Sequence, residues 1–305
     1  MRKTRFDFIG RSRLWLMISA TLMAISVIGL VGFKLDLSID FVGGSSFVVE
    51  GVANTDITAQ DLDDAVTAAG ATGVTAQVKV EGGRATGVIV RTGELDPGSP
   101  EEQAVKDAVL EVTGADEVQV SFVGPTWGQR ISAKALQALI VFLILIVAYI
   151  SVRLEPKMAG AAVVALVHDL LLTAGVYAIV GFQVSPSTVI ALLTILGYSL
   201  YDTVVVFDRI KENTATLGGV GRRTYSEAVN TSMNEVWWRS LNTTMTSLLP
   251  VGSLLFLGSR VLGAQTLQDL ALALFVGMAT GAYSSLFVAG PLLAAWKEHE
   301  PEMER

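Results

Sequence analysis

Cysteine is absent from the 305-residue chain. That excludes disulfides, thiolate metal sites, iron–sulfur clusters and thiol catalysis. Histidine is scarce, with two residues, so a zinc site built from several imidazoles is excluded as well. Charge is sparse: 17% of residues are Asp, Glu, Lys or Arg, against roughly 25% in an average soluble domain. A basic excess is also missing. The 22 Lys and Arg face 29 Asp and Glu for a net charge of −7, which gives no footprint for nucleic acid. Apolar residues fill the chain instead, at 51%, and mean hydropathy is +0.53. This composition excludes a disordered protein, argues against an ordinary cytosolic enzyme and points to a chain embedded in a lipid bilayer.

Six apolar runs follow one another: 14–33, 135–152, 159–180, 186–207, 241–257 and 267–295. The first comes after Arg2, Lys3, Arg5, Arg11 and Arg13, the basic start of a signal peptide. Its 20 uncharged residues are long enough to cross a ~30 Å core and more spans follow, so it reads as a retained anchor. Basic residues then alternate between loops. Segment 1–13 holds five, the turn 151–158 holds Arg153 and Lys157, and 208–239 holds Arg209, Lys211, Arg222, Arg223 and Arg239. The turns 181–186 and 258–266 hold only Arg260. The positive-inside rule places both termini, including the tail 296–305, in the cytoplasm. Trp15, Trp127, Trp237, Trp238 and Trp296 lie near span ends, where indoles favour the interface.

Segment 38–130 has a different character. It carries 15 Asp and Glu against five Lys and Arg, a net −10, and is long enough to fold alone outside the cytoplasm. Strands are expected at 45–50, 74–80, 86–91 and 117–123, from their alternating apolar residues. Helices are expected at 58–69, capped by Thr58 and stopped by Gly70, and at 99–112, with Glu101 and Glu102 in an acidic start. A hairpin turn falls at 81–84. The order β-α-β-β-α-β predicts an α+β ferredoxin-like domain between the first two spans. No catalytic trio stands out in it. In the loop 208–239, Thr224 and Glu227 have capping-box spacing. Ala228, Val229, Met233, Val236 and Trp237 follow on one helical face, predicting an amphipathic helix on the inner membrane surface.

Ionisable groups at membrane depth are costly and face a bundle interior or a water-filled path. Four occur here. At 1.5 Å per residue, Asp202 lies about 9 Å outward from Asp208, and His168 and Asp169 about 14–15 Å in from Ala159. Arg239 sits at the inner mouth of span five. All four fall in the cytoplasmic half, and Asp202 and Arg239 are expected to face each other, or to be linked through one water, between spans four and five. Polar stripes accompany them: Ser199, Asp202 and Thr203 on span four, Arg239, Asn242, Thr243 and Thr246 on span five, Asp169 and Thr173 on span three. Stripes on consecutive spans suit a buried proton or ion path. Helix–helix adhesion by hydroxyls and amides, with a structural Asp–Arg pair, is the competing reading.

Several longer stretches carry a resemblance. They are 7–11 (Asp7-Phe8-Ile9-Gly10-Arg11), 38–44 (Ser38-Ile39-Asp40-Phe41-Val42-Gly43-Gly44), 123–125, the pair His168-Asp169, 197–209 and 239–244 (Arg239-Ser240-Leu241-Asn242-Thr243-Thr244). Together they resemble the SecD/SecF family of protein-export membrane proteins, on the SecF side, within the RND superfamily. Ser38 stands where Gly is usual, Tyr201 where Asn is common, and Ser240 where Thr is common. The resemblance implies a polytopic α-helical protein with six transmembrane helices, an RND-type half, in the cytoplasmic (inner) membrane of a prokaryote. It implies use of proton-motive force to assist Sec-dependent translocation, with Asp202 and Arg239 as proton-coupling residues. His168, Asp169, Ser199, Thr203, Asn242, Thr243 and Thr246 form a supporting polar network. Implied partners are SecD, the SecYEG translocon, YajC and YidC, and the translocating preprotein. No enzyme activity, cofactor or metal is expected. An RND-type exporter of small molecules or lipids, and a purely structural translocon subunit, are the alternatives.

Overall fold

The computed structural model describes residues 6–81, 83–215, 224–258 and 265–298. The chain divides into two compact units, one of residues 37–137 and one of 1–36 with 138–305.

In the smaller unit, strands β1 (Gly44–Glu50), β2 (Thr75–Glu81), β3 (Arg84–Thr92) and β4 (Gln119–Val123) form one sheet in the order β2-β3-β1-β4. Every neighbouring pair is antiparallel, and Phe47 of β1 lies between Val90 and Val120. Helices α2 (Ala59–Ala68) and α3 (Pro100–Thr113) complete the unit. Alternation on β1 and β3 sends Phe47, Val49, Val88 and Val90 to one face. They meet Leu62, Val66, Val105 and Val109 of the helices in a closed apolar core. Caps fix the helix ends. Thr58 accepts from the Asp61 N–H at 3.2 Å, while Asp61 accepts from the Thr58 N–H at 2.9 Å and from its hydroxyl at 2.7 Å. Ser99 caps α3 ahead of Pro100, and Gly114 ends it in the left-handed region at φ 66°.

The stretch Ser38–Gly44 is a single helical turn closing on two glycines. Gly44 has φ 125°, and a Cβ there would lie 2.5 Å from the Thr92 carbonyl oxygen. A side chain is thus excluded on conformational and steric grounds. Gly128 and Ser132 of helix α4 (Pro125–Arg153) sit on the same turn, with the Ser132 hydroxyl donating to the Phe41 carbonyl at 3.0 Å.

The larger unit is helical: α1 (Ser12–Phe33), the rest of α4, α5 (Pro156–Val180), α6 (Pro186–Thr214), α7 (Tyr225–Ser253), α8 (Gln265–Ser284) and α9 (Gly290–Glu298). Five described helical stretches are long and apolar enough to cross a membrane: Ser12–Phe33, Pro125–Arg153, Pro156–Val180, Pro186–Thr214 and Leu267–Lys297. Ile28, Val31 and Ile144 point away from the unit's interior, as lipid-facing side chains do. The last of the five is not one uniform helix. A π-helical turn at Ser285–Ala289 joins α8 to α9.

Helix α7 departs from expectation. The loop helix and the start of the expected span 241–257 are one continuous helix, because no Gly or Pro interrupts 225–249. Pro250 falls near its end and a π-helical turn, Leu254–Gly258, follows. The apolar face of its first half does not lie on a membrane surface. Ala228, Val229, Met233 and Val236 are buried, and the last three pack with Phe207, Ile210 and Leu293 of neighbouring helices. The N-terminal stretch is held on this helix. Asn230 accepts from the Phe8 N–H at 2.8 Å, and Asn234 accepts from the Phe6 N–H at 2.7 Å and donates to its carbonyl at 2.8 Å. Phe8 is fully buried among Phe6, Trp237 and Phe287. The turn holding Arg222, Arg223 and Gly219, the turn holding Arg260, and most of 296–305 lie outside the described residues.

Candidate functional site

Close helix approach builds the polar interior. On α8, Gly277 and Gly281 stand one turn apart. A Cβ on Gly281 would come 2.9 Å from the Ser199 Cβ, and one on Gly277 would come 2.2 Å from the Ile195 side chain. These two residues let α8 lie directly on α6, the small-residue solution for helices in lipid. Ser284 and Ser285 follow at the junction with the π-helical turn. Both are fully buried, and they serve different neighbours.

On one side, Asp169 of α5 is 1% exposed. Its Oδ2 accepts from the Ser199 hydroxyl at 2.5 Å and from the Ser284 hydroxyl at 2.8 Å. Its Oδ1 lies 3.2 Å from Nδ1 of His168. Thr173 turns back to the Asp169 carbonyl at 2.8 Å. On the other side, Ser285 meets the Thr203 hydroxyl at 3.0 Å and donates to the Gly281 carbonyl at 2.9 Å. Asp202, 7% exposed, accepts from the Ser240 hydroxyl of α7 at 2.8 Å.

Asp202 and Arg239 do not form an ion pair. The Arg239 guanidinium is exposed and donates through Nη2 to the Tyr201 hydroxyl at 3.3 Å. The cause is helical phase. Ser240 and Thr244 are the buried positions of this part of α7, while Arg239, Asn242 and Thr246 face outward and Thr243 is half-buried. The expected stripe therefore lies on the outer side of the unit. The Thr243 and Thr246 hydroxyls are turned back to the Arg239 and Asn242 carbonyls at 2.8 and 2.9 Å.

Four residues central to the site were missed from the sequence: Ser240, Ser284, Ser285 and Gly281. Ser240 was hidden beside the more conspicuous Arg239. The adjacent pair Ser284-Ser285 in an apolar run, preceded by Gly277 and Gly281, was the readable signal. Among the described residues, no group of three or more His, Asp or Glu gathers as a metal site. The site holds two carboxylates sequestered from solvent and reached chiefly by hydroxyls, which can both donate and accept.

A helical unit with buried carboxylates and a separate α+β unit inserted after its first helix define a polytopic membrane protein of the transporter kind. Residues 104–299 match the family model for the protein export membrane protein SecD/SecF, C-terminal. The chain belongs to this SecD/SecF family. It is 43% identical over 305 residues to the protein translocase subunit SecF of Streptomyces coelicolor, covering 98% of this chain and 79% of that protein. It is 39% identical over 302 residues to SecF of Mycobacterium tuberculosis, covering 96% and 67%. Among solved structures it resembles SecDF of Thermus thermophilus, a translocon-associated membrane protein, with TM-score 0.84 and 30% identity. That match covers 98% of this chain and 40% of the SecDF chain.

Proposed function

We propose that this chain is the SecF half of a SecD–SecF assembly and uses proton-motive force to assist Sec-dependent translocation of preproteins. The observation that carries the reading is Asp202. It is a buried carboxylate on α6 held by hydroxyls, Ser240 of α7 and Ser285 at the π-helical turn, without an ion pair to Arg239. Protonation removes its charge and changes what Ser240 bonds to, so it biases how α6 and α7 pack. Arg239 and its outward stripe belong to the surface that meets SecD, which brings a further membrane Asp. The polar network of His168, Asp169, Ser199, Thr203, Asn242, Thr243 and Thr246 supports this centre, joined by Ser240, Ser284 and Ser285.

The wider reading follows from the same residues. The second half of α7, with 241–257, is the fifth of six spans, so both termini are cytoplasmic in the inner membrane of a prokaryote. The sheet order and the β-α-β-β-α-β succession support a ferredoxin-like extracytoplasmic domain. The boundaries read from the sequence are proposed to hold at 14–33, 38–130, 135–152, 159–180, 186–207, 208–239, 241–257 and 267–295. Partners are SecD, SecYEG, YajC and YidC, the preprotein and the bilayer; nucleic acid is not among them. The protein has no enzymatic role and no cofactor.

Asp202→Asn tests the centre, since Asn still accepts from Ser240 with almost no change in volume. The variant should co-purify with SecD and the translocon while losing gradient-driven export into vesicles. Full gradient-driven export would sink the coupling role. Loss of both assembly and export would leave the structural alternative standing.

A further inference from the structure

The buried His168–Asp169 pair is not explained by the role given to Asp202. Its geometry is that of a proton acceptor. Oδ2 of Asp169 receives two hydroxyl donors, from Ser199 and Ser284. Oδ1 faces only Nδ1 of His168. With Asp169 as the ionised carboxylate, which is acceptor-only, Nδ1 carries the hydrogen between them. A neutral imidazole protonated at Nδ1 presents a bare lone pair at Nε2. That nitrogen is buried and meets no donor or acceptor among the described residues. An orphaned N–H in the interior is rarer than an under-satisfied acceptor, which favours the bare form. His168 is 3% exposed, and its ring lies 6.2 Å from that of Tyr283.

We propose that His168 is a second proton-binding site of the helical unit, with Asp169 as its positioning residue. The proton adds to Nε2, forming an N–H bond and an imidazolium whose charge is balanced by the adjoining carboxylate. Release breaks the same bond. The surroundings suit this role. Helix α6 brings Asp202, one turn from Ser199, and α8 brings Tyr283, whose hydroxyl meets Ser19 at 2.9 Å. The stretch 14–33 of α1 brings no ionisable residue, and Lys297 of α9 is engaged with Glu155 at the chain-start end of α5. Serines bridge the two centres: Ser199 donates to Asp169, Ser285 lies 3.5 Å from the Ser199 carbonyl, and the Ser285 hydroxyl also bonds Asp202. The assignment rests on the proton-driven reading of Asp202, but its test does not use that residue.

The chain has two histidines, His168 and His299. Labelling them with nitrogen-15 in the complete chain, reconstituted in lipid vesicles, and replacing His299→Gln leaves His168 as the only signal. Magic-angle-spinning NMR then reads each ring nitrogen. In an alkaline sample the ring should be protonated at Nδ1 and bare at Nε2, and on acidification Nε2 should gain a proton. Asp169→Asn should abolish the single tautomer. A ring protonated at Nε2 in the alkaline sample, or one unchanged over the whole range, overturns the proposal. So does a single Nδ1–H tautomer that persists unaltered in Asp169→Asn. Normal export by Asp202→Asn with this His168 signature would remove the function proposed for Asp202 alone, so the two failures are distinguishable.

Discussion

On α7 a rotation of about 100° separates consecutive side chains, and that rotation decides whether Arg239 or Ser240 meets Asp202. The polar set 239, 242, 243 and 246 shares one stripe, yet most of it faces outward, and Ser240 beside it supplies the hydroxyl on Asp202. Residue type revealed that Asp202 needs a partner. It did not reveal helical phase, which is set by packing of Val236, Ser240 and Thr244 against the rest of the unit. The two neighbours should respond differently to substitution. Ser240→Ala removes one of the two hydroxyl partners of a buried carboxylate and should cost about 1–3 kcal/mol, read as a lower thermal unfolding temperature in detergent. Arg239→Ala removes an exposed group and should stay within about 0.5 kcal/mol of the parent, while weakening co-purification with SecD. Asp61 offers a simpler residue-scale test. The Thr58 hydroxyl and backbone N–H hold its carboxyl below the ordinary carboxylate range. Its folded value is depressed, so its contribution is fully present above about pH 4 and disappears as pH falls through the folded value. Hydrogen exchange at the first amides of α2 should accelerate over that acid interval, and Thr58→Ala should remove the effect.

At the scale of elements, what was legible depended on local chemistry. Thr58, Gly70, Ser99 and the 224–227 box act within a few residues of themselves, and the structure places helices at each of them. Strands read from alternation lie within two residues of the observed ends. Continuity of α7 was not legible, because the change from polar to apolar residues near 240 reads as a boundary although nothing in the backbone breaks there. The approach of α8 to α6 was also missed, since Gly277 and Gly281 act on a partner distant in sequence. Gly281→Leu should push the helices apart at Ser199 and destabilise the unit by about 1–3 kcal/mol. The absence of native cysteine gives a direct check of this contact. Thr203→Cys with Ser285→Cys should oxidise to a disulfide, because the two hydroxyls stand 3.0 Å apart. The same pair combined with Gly281→Leu should cross-link poorly.

For the whole molecule, alternating basic loops and apolar runs gave a topology that a reporter can test. A fusion at Gly83 should read outside and one at Gly219 inside; the reverse at either site would overturn the proposed orientation. The outward face of α7 has a further consequence, for protein turnover. With the second half of α7 spanning the bilayer as proposed, Arg239, Asn242 and Thr246 are poorly solvated until another polypeptide covers them. Newly made copies without a companion should therefore be recognised by membrane proteases, and the amount of this chain in a cell should be limited by the amount of SecD. Pulse-chase labelling in cells with SecD depleted should show a shortened half-life, restored by leucine at 239, 242 and 246 even though such a chain no longer supports export.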